Sequence, residues 1–176
     1  MRRWIFAIAC AGLTLSAVAG HAQQRPISVG LAGGVSLPQG DLADVVGTGW
    51  HALGTIALST LMQPLGLRLD IAYSRFDFDA ADGNESVGSA TLNGTYRLPM
   101  TNSPLSPYLI SGLGAYRSEC SLDIGCDATT EFGWNVGLGA KLFVLGFRSF
   151  LEARYHSTEH HDTDVRYFPL TIGILF

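Results

Sequence analysis

The chain has 176 residues and a formal net charge of -4, which suits one domain and argues against a nucleic-acid partner, whose phosphates call for basic patches. Hydrophobic residues make up 47% of it, yet after Ala22 no stretch reaches the ~18 uninterrupted apolar residues of a membrane-spanning helix. The apolar content must therefore lie in alternating strands or a soluble core, and 21 glycines scattered through apparent strands fit a β-barrel better than a helical fold.

Residues 1–22 begin with the basic tip Arg2-Arg3, continue as an apolar run from Trp4 to Val18, and end in the small-x-small motif Gly20-His21-Ala22. This is the pattern of a secretory signal peptide cut before Gln23, with a mature domain over 23–176. Its loss removes two arginines and no acids, moving the net charge from -4 to -6.

From Ile27 the chain alternates. Ile27, Val29, Leu31 and Val35 share one face of a first strand, and a loop follows over 37–49. His51 to Leu61 reads as a second strand, with Gly54, Ile56 and Leu58 opposite Thr55, Ala57 and Ser59. The third is the clearest, with Leu67, Leu69, Ile71 and Tyr73 against Arg68, Asp70, Ala72 and Ser74. A polar loop over 77–86 leads to a fourth strand, in which Ala90, Leu92 and Tyr96 oppose Thr91, Asn93, Thr95 and Arg97.

The fifth strand, Tyr108 to Arg117, has no assignable facing. In the sixth, Trp134, Val136, Leu138, Ala140 and Leu142 oppose Asn135, Gly137, Gly139 and Lys141. The seventh sets Leu151, Ala153 and Tyr155 against Glu152, Arg154 and His156. The eighth puts Phe168, Leu170, Ile172, Ile174 and Phe176 on one parity, with Pro169, Thr171 and Gly173 on the other. Eight strands result. Polar connections near 37–49, 77–86, 118–130 and 157–165 alternate with shorter turns near 62–66, 99–106 and 144–147, and 13 of the 15 acidic residues fall in or beside the polar connections.

Pro107-Tyr-Leu-Ile-Ser-Gly-Leu-Gly-Ala-Tyr116, Gly133-Trp-Asn-Val-Gly-Leu-Gly-Ala140, Glu152-Ala-Arg-Tyr155 and Pro169-Leu-Thr-Ile-Gly-Ile-Leu-Phe176 resemble the small outer-membrane β-barrels of the OmpA, OmpX and opacity-protein type. The resemblance covers the mature chain. It implies an all-β, eight-stranded antiparallel up-and-down transmembrane barrel in the bacterial outer membrane. It also implies outer-membrane lipid around the barrel and the barrel-assembly machinery as partner, which in such proteins recognises a final strand of the Phe168, Leu170, Ile172, Ile174, Phe176 kind. Its motifs describe strands, not chemistry, so it implies no single activity.

A lipocalin-like soluble barrel would hide the apolar parity and wet the polar one; a membrane barrel does the reverse. Placed in lipid, Arg68 or Arg154 would cost roughly 2–4 kcal/mol each at mid-membrane. Arg68, Asp70, Lys141, Glu152 and Arg154 are therefore expected on the inside as a polar network, since eight strands leave room for little but side chains. Outward aromatics at strand ends, namely Tyr73, Tyr96, Tyr108, Trp134, Tyr155, Phe168 and Phe176, are candidates for two interface girdles.

Cys120 and Cys126 lie in one polar connection and are expected to form a disulfide in an oxidising envelope. His156, Glu159, His160, His161, Asp162 and Asp164 crowd the last loop, where a solvated surface is preferred over a metal site. His156 and Ser157 are adjacent and so point to opposite faces, which argues against a lipid-hydrolysing site and for a protein that is not an enzyme. No cofactor is called for. The expected role is a monomeric structural or surface-interaction barrel with a closed polar interior and acidic loops facing an extracellular ligand; the alternative is a narrow channel for ions or small solutes.

Overall fold

A computed structural model of the chain describes residues 27–59, 64–78, 83–100, 104–120, 128–144, 146–158 and 165–176. The signal-peptide reading of 1–22 lies outside them. Eight strands follow in order: β1 Ile27–Gln39, β2 Gly49–Ser59, β3 Leu65–Asp77, β4 Asn84–Arg97, β5 Ser106–Cys120, β6 Thr129–Val144, β7 Phe147–Thr158 and β8 Arg166–Leu175. Each pairs antiparallel with its neighbours in the chain, and β8 closes on β1. Closure leaves the sheet without a free edge, which is what lipid demands of a spanning sheet.

The register can be walked around the wall. Ser28 pairs with Ala57, then Arg68, Asn93, Gly112, Asn135, His156 and Tyr167, and Tyr167 pairs with Pro38, ten positions beyond Ser28 on the strand where the walk began. That stagger is the shear that tilts the strands of a closed eight-stranded barrel by roughly 35–45°. The side chains on the walk all share the inward parity.

Alternation decides which face is which, and the burial inverts that of a soluble protein. Leu31 is 66% exposed, Ile71 64%, Leu138 63% and Ile172 62%, while Asp70 is 2% exposed and Arg154 3%. Among the described strand residues, outward charges occur only at Arg75, Asp77, Arg117, Glu119 and Arg166, all at the end of the barrel carrying the polar connections, called here the loop end. On β8 the outward face from Phe168 to Phe176 is free of charge. Eight residue steps at about 3.3 Å, tilted by about 40°, rise about 20 Å, close to the apolar band of such barrels.

Aromatics bracket that band. At the loop end Trp50 packs on Tyr73 with ring centroids 5.8 Å apart and Trp134 on Tyr155 at 5.7 Å. At the opposite, turn end, Tyr96, Phe147 and Phe176 face outward. Tyr108 is a correction to the girdle reading: it is 3% exposed and points inside.

The connections differ from expectation in length rather than in polarity. The β3–β4 ladder continues to Asp77↔Asn84, so the 77–86 loop shrinks to 78–83 and is shorter than the 98–105 turn. Polar residues at the loop end extend strands instead of leaving them. Between β1 and β2 the chain forms a 3₁₀ turn, Gly40–Asp44, entered through a left-handed Gly40 with φ of 61°.

Candidate functional site

The interior is built in tiers. At the loop end the 3₁₀ turn brings Leu42 and Val46 over the mouth, where they join inward-facing Phe76, Val87, Tyr116 and Tyr167 and the loop residue Val165 in one buried apolar cluster. Val46 is 1% exposed and Phe76 is fully buried. The contact is held by an isolated bridge between Val46 and Phe78 and by the Gly47 amide donating to the Asp77 carbonyl at 3.1 Å. This end of the lumen is corked by hydrocarbon.

Beneath the cork lies a layer of two histidines. His51 Nδ1 shares a 3.1 Å hydrogen bond with Ser36 Oγ, and its Nε2 a 2.9 Å bond with Thr171 Oγ1. His156 Nδ1 meets Tyr116 Oη at 3.0 Å, and its ring stacks on Tyr167 at 4.9 Å between centroids. Both histidines are buried, and each finds partners inside the wall, as buried imidazoles must.

The middle tier holds the charges. Arg68 donates from Nε and Nη2 to Asp70 at 2.8–3.0 Å, and from Nη1 and Nη2 to Glu152, the latter at 2.8 Å. Arg154 donates to Asp70 Oδ2 at 2.8 Å and to Glu152 Oε2 from both Nε, at 2.8 Å, and Nη2, at 2.6 Å. The four form a ring of alternating sign with no net charge, every member 5% exposed or less. Neighbours complete it. Tyr108 Oη donates to Glu152, and Asn93 Nδ2 to Asp70 at 3.0 Å and Thr91 Oγ1 at 3.0 Å; Asn135 donates to Asn93 at 2.9 Å. Buried ion pairs are tolerable only when the remaining lone pairs and protons are also engaged, and here they are.

Lys141, expected in the same network, stands apart from it. It points inward but nearer the turn end, with Nζ 5.6 Å from the centre of the Tyr108 ring. The fourth tier is apolar: Phe150, under the Arg68 guanidinium at 5.4 Å, packs with Leu53 and Leu175. Small residues make room for the ring. A Cβ at Gly139 would stand 2.6 Å from Tyr108 Oη and 2.8 Å from Glu152 Cγ.

Tyr108, Asn93 and Asn135 join the network beyond the five residues expected there. Asn93 and Asn135 sat on the polar parity and were findable; Tyr108 was not, since β5 carries apolar residues on both faces. Phe168, Leu170, Ile172, Ile174 and Phe176 all lie on the outward face of β8. Cys120 ends β5, and Cys126 lies outside the described residues, as do Glu159, His160, His161, Asp162 and Asp164. His156 is not a loop residue but an inward strand residue. Among the described residues, no group of three His, Cys, Asp or Glu side chains is arranged to hold a metal ion.

Residues 7–174 match the family model of the outer membrane protein β-barrel domain. The chain belongs to that family. Solved structures agree on the fold: the Neisserial surface protein A has 20% identity over 86% of this chain and 96% of its own, with a TM-score of 0.67. The N-terminal β-barrel domain of Pseudomonas aeruginosa OprF has 17% identity over 85% and 97%, at 0.52. Ail, the attachment invasion locus protein of Yersinia pestis, solved in complex with the heparin analogue sucrose octasulfate, has 20% identity over 85% and 96%, at 0.52. No curated protein matches. This outer-membrane barrel thus lies in the bacterial outer membrane, with the exposed apolar band of β1–β8 as its lipid-facing surface. At such identities the likeness carries the fold alone.

Proposed function

We propose that this barrel is a closed membrane anchor that presents an acidic rim at the cell surface to a cationic partner, and that it conducts nothing. The observation that carries the closed reading is the interior: an apolar cork, then a charge-neutral ring bridging the lumen, then Phe150. Support for the acidic rim comes from the distribution of charge, since every acidic side chain other than Asp70 and Glu152 lies in or beside the loop-end connections. Clustered charge of one sign at a rim raises encounter rates with surfaces of opposite sign and does so most at low salt.

Two structural neighbours are a Neisserial surface protein and an attachment invasion locus protein, which supports surface contact as the class of role. The chemistry of the partner differs, however: an anionic saccharide of the kind bound by Ail would be repelled by this rim. On the same reading, the outward residues of β8 are what the barrel-assembly machinery engages, the loop end faces outward, and Cys120 and Cys126 are joined.

The test is whole-cell labelling with a membrane-impermeant maleimide of single cysteines placed at Asp82 and at Thr101, in a background without Cys120 and Cys126. Labelling at 82 alone on intact cells, with both sites reacting after lysis, is the expected result. Labelling at 101 alone would reverse the orientation and sink the surface role.

A further inference from the structure

A closed barrel has no edge strand, so a proline within it has nowhere to hide its missing N–H. Two of the strand prolines avoid the conflict by position. The β1–β2 ladder ends at Ser36↔Gly49, before Pro38, and the β4–β5 ladder ends at Arg97↔Tyr108, before Pro107. Pro169 does not avoid it. It stands inside β8, with paired positions on either side of it.

The direction of the missing bond follows from the seam. The Val29 amide donates to the Phe176 carbonyl at 3.3 Å, and the Phe176 amide to the Val29 carbonyl at 2.7 Å. Bonded pairs recur at every second position of an antiparallel ladder. Phe168, Leu170, Ile172 and Ile174 therefore bond to β1, and the odd-numbered residues of β8 turn their backbone groups to β7. Pro169 meets Arg154 there and has no N–H to give its carbonyl. The β7–β8 ladder breaks accordingly: pairing reaches Ala153↔Leu170 and resumes at His156↔Tyr167. The β1–β8 ladder, by contrast, runs unbroken from Gly30↔Leu175 to Gln39↔Arg166. Among the described residues, β7–β8 is the one ladder with an interruption.

Packing is thin on both faces of the same wall. Inside, Arg154 and Pro169 line a small space together with His51, Ser74, Ser89 and His156. Outside, the short side chains of Ala140 and Ala153 leave a depression between Leu138, Leu151, Leu170 and Ile172. A stretch of wall that lacks a backbone bond and has few neighbours opens at lower cost than the rest of the sheet.

We infer that the barrel wall opens laterally between β7 and β8 at Arg154 and Pro169, and that it does so before the β1–β8 seam. Arg154 and Glu152 hold β7 to Asp70 and Arg68 across the lumen, so β8, still paired with β1, is the strand that moves. Opening uncovers the space beneath the histidine layer toward the lipid, while cork and ring keep the lumen closed along its axis. The inference rests on the ladder alone and needs neither the orientation of the barrel nor the surface role.

The test is amide hydrogen exchange followed by NMR, on protein isolated from outer membranes and held in detergent micelles, with rates corrected for sequence. β8 supplies its own control, because successive amides at similar depth bond to different neighbours. The Tyr167 and Thr171 amides, which face His156 and Glu152, are expected to exchange about fivefold or more faster than those of Leu170 and Ile172, which face β1. P169A and P169V both restore the donor and differ in bulk. In either variant that folds by heat-dependent gel mobility, Tyr167 and Thr171 should slow to the rate of their neighbours. Exchange that is uniform along β8 in the natural chain, or faster at Leu170 and Ile172, overturns the inference, and that comparison decides if neither variant folds. A folded variant in which the difference persists overturns it as well.

Discussion

Arg68 and Glu152 stand on β3 and β7, on opposite sides of the barrel, and meet across the lumen through both Nη atoms of the guanidinium. No ladder hydrogen bond links those strands, so this pair ties together walls that the sheet alone would leave independent. It also sets a crossbar in the path of anything moving along the axis.

Removing one member of the ring should therefore cost more than removing a pair. E152Q leaves Arg68 and Arg154 sharing Asp70 and is expected to lower the unfolding free energy in urea by about 3–5 kcal/mol. Replacing all four charged side chains by Met and Leu should recover most of that loss, because the desolvation cost goes with the charges. A neutral outcome for E152Q would mean that water reaches the ring.

Room around the ring is as necessary as the charges. G139A pushes a methyl against Tyr108 Oη and Glu152 Cγ, both locked by their own hydrogen bonds. We expect a loss of about 1–3 kcal/mol in the same urea experiment, as for other overpacked cores. The double variant G139A/Y108F, which frees one of the two neighbours, should lose less than the sum of the singles.

The lipid face is tested by depth. I172R places a charge near the middle of the apolar band and should cost roughly 2–4 kcal/mol, whereas F168R, near the loop-end girdle, should cost about 0–1 kcal/mol. Equal penalties would contradict the placement of the band between the two sets of aromatics.

Much of this was legible in the sequence, and the failures have physical causes. Parity was readable wherever lipid and lumen ask for different chemistry, as in β3, where Leu67, Leu69 and Ile71 alternate with Arg68 and Asp70. It was unreadable in β5, because Ile110 and Tyr116 point inward while Leu109 and Leu113 point outward, and glycines at 112 and 114 fill the remaining inward places. Tyr108 looked like a girdle aromatic since its ring is apolar; its hydroxyl is wanted by a carboxylate two strands away, which no local pattern reveals. Lys141 shared the polar parity of the ring residues but not their height along the axis, and parity carries no information about height. The cork was hidden for a related reason: Leu42 and Val46 sit in a stretch whose glycines and acids read as a solvated loop.

The proposed Cys120–Cys126 disulfide has a direct check. Apart from Cys10, Cys120 and Cys126 are the cysteines of the chain. Protein from the envelope should resist thiol alkylation until reduced, and reduction should cost about 2–3 kcal/mol or less, given the short loop it closes. Ready alkylation without reductant would show two free thiols.

The central claim is that the lumen is closed by the apolar cork and the charged ring. Conductance across a planar bilayer containing the refolded protein tests it most directly, with folding verified by heat-dependent gel mobility. The account predicts a silent membrane for the natural chain. Reproducible unitary steps, altered in ion selectivity by R68Q or E152Q, would contradict it and make the barrel a channel.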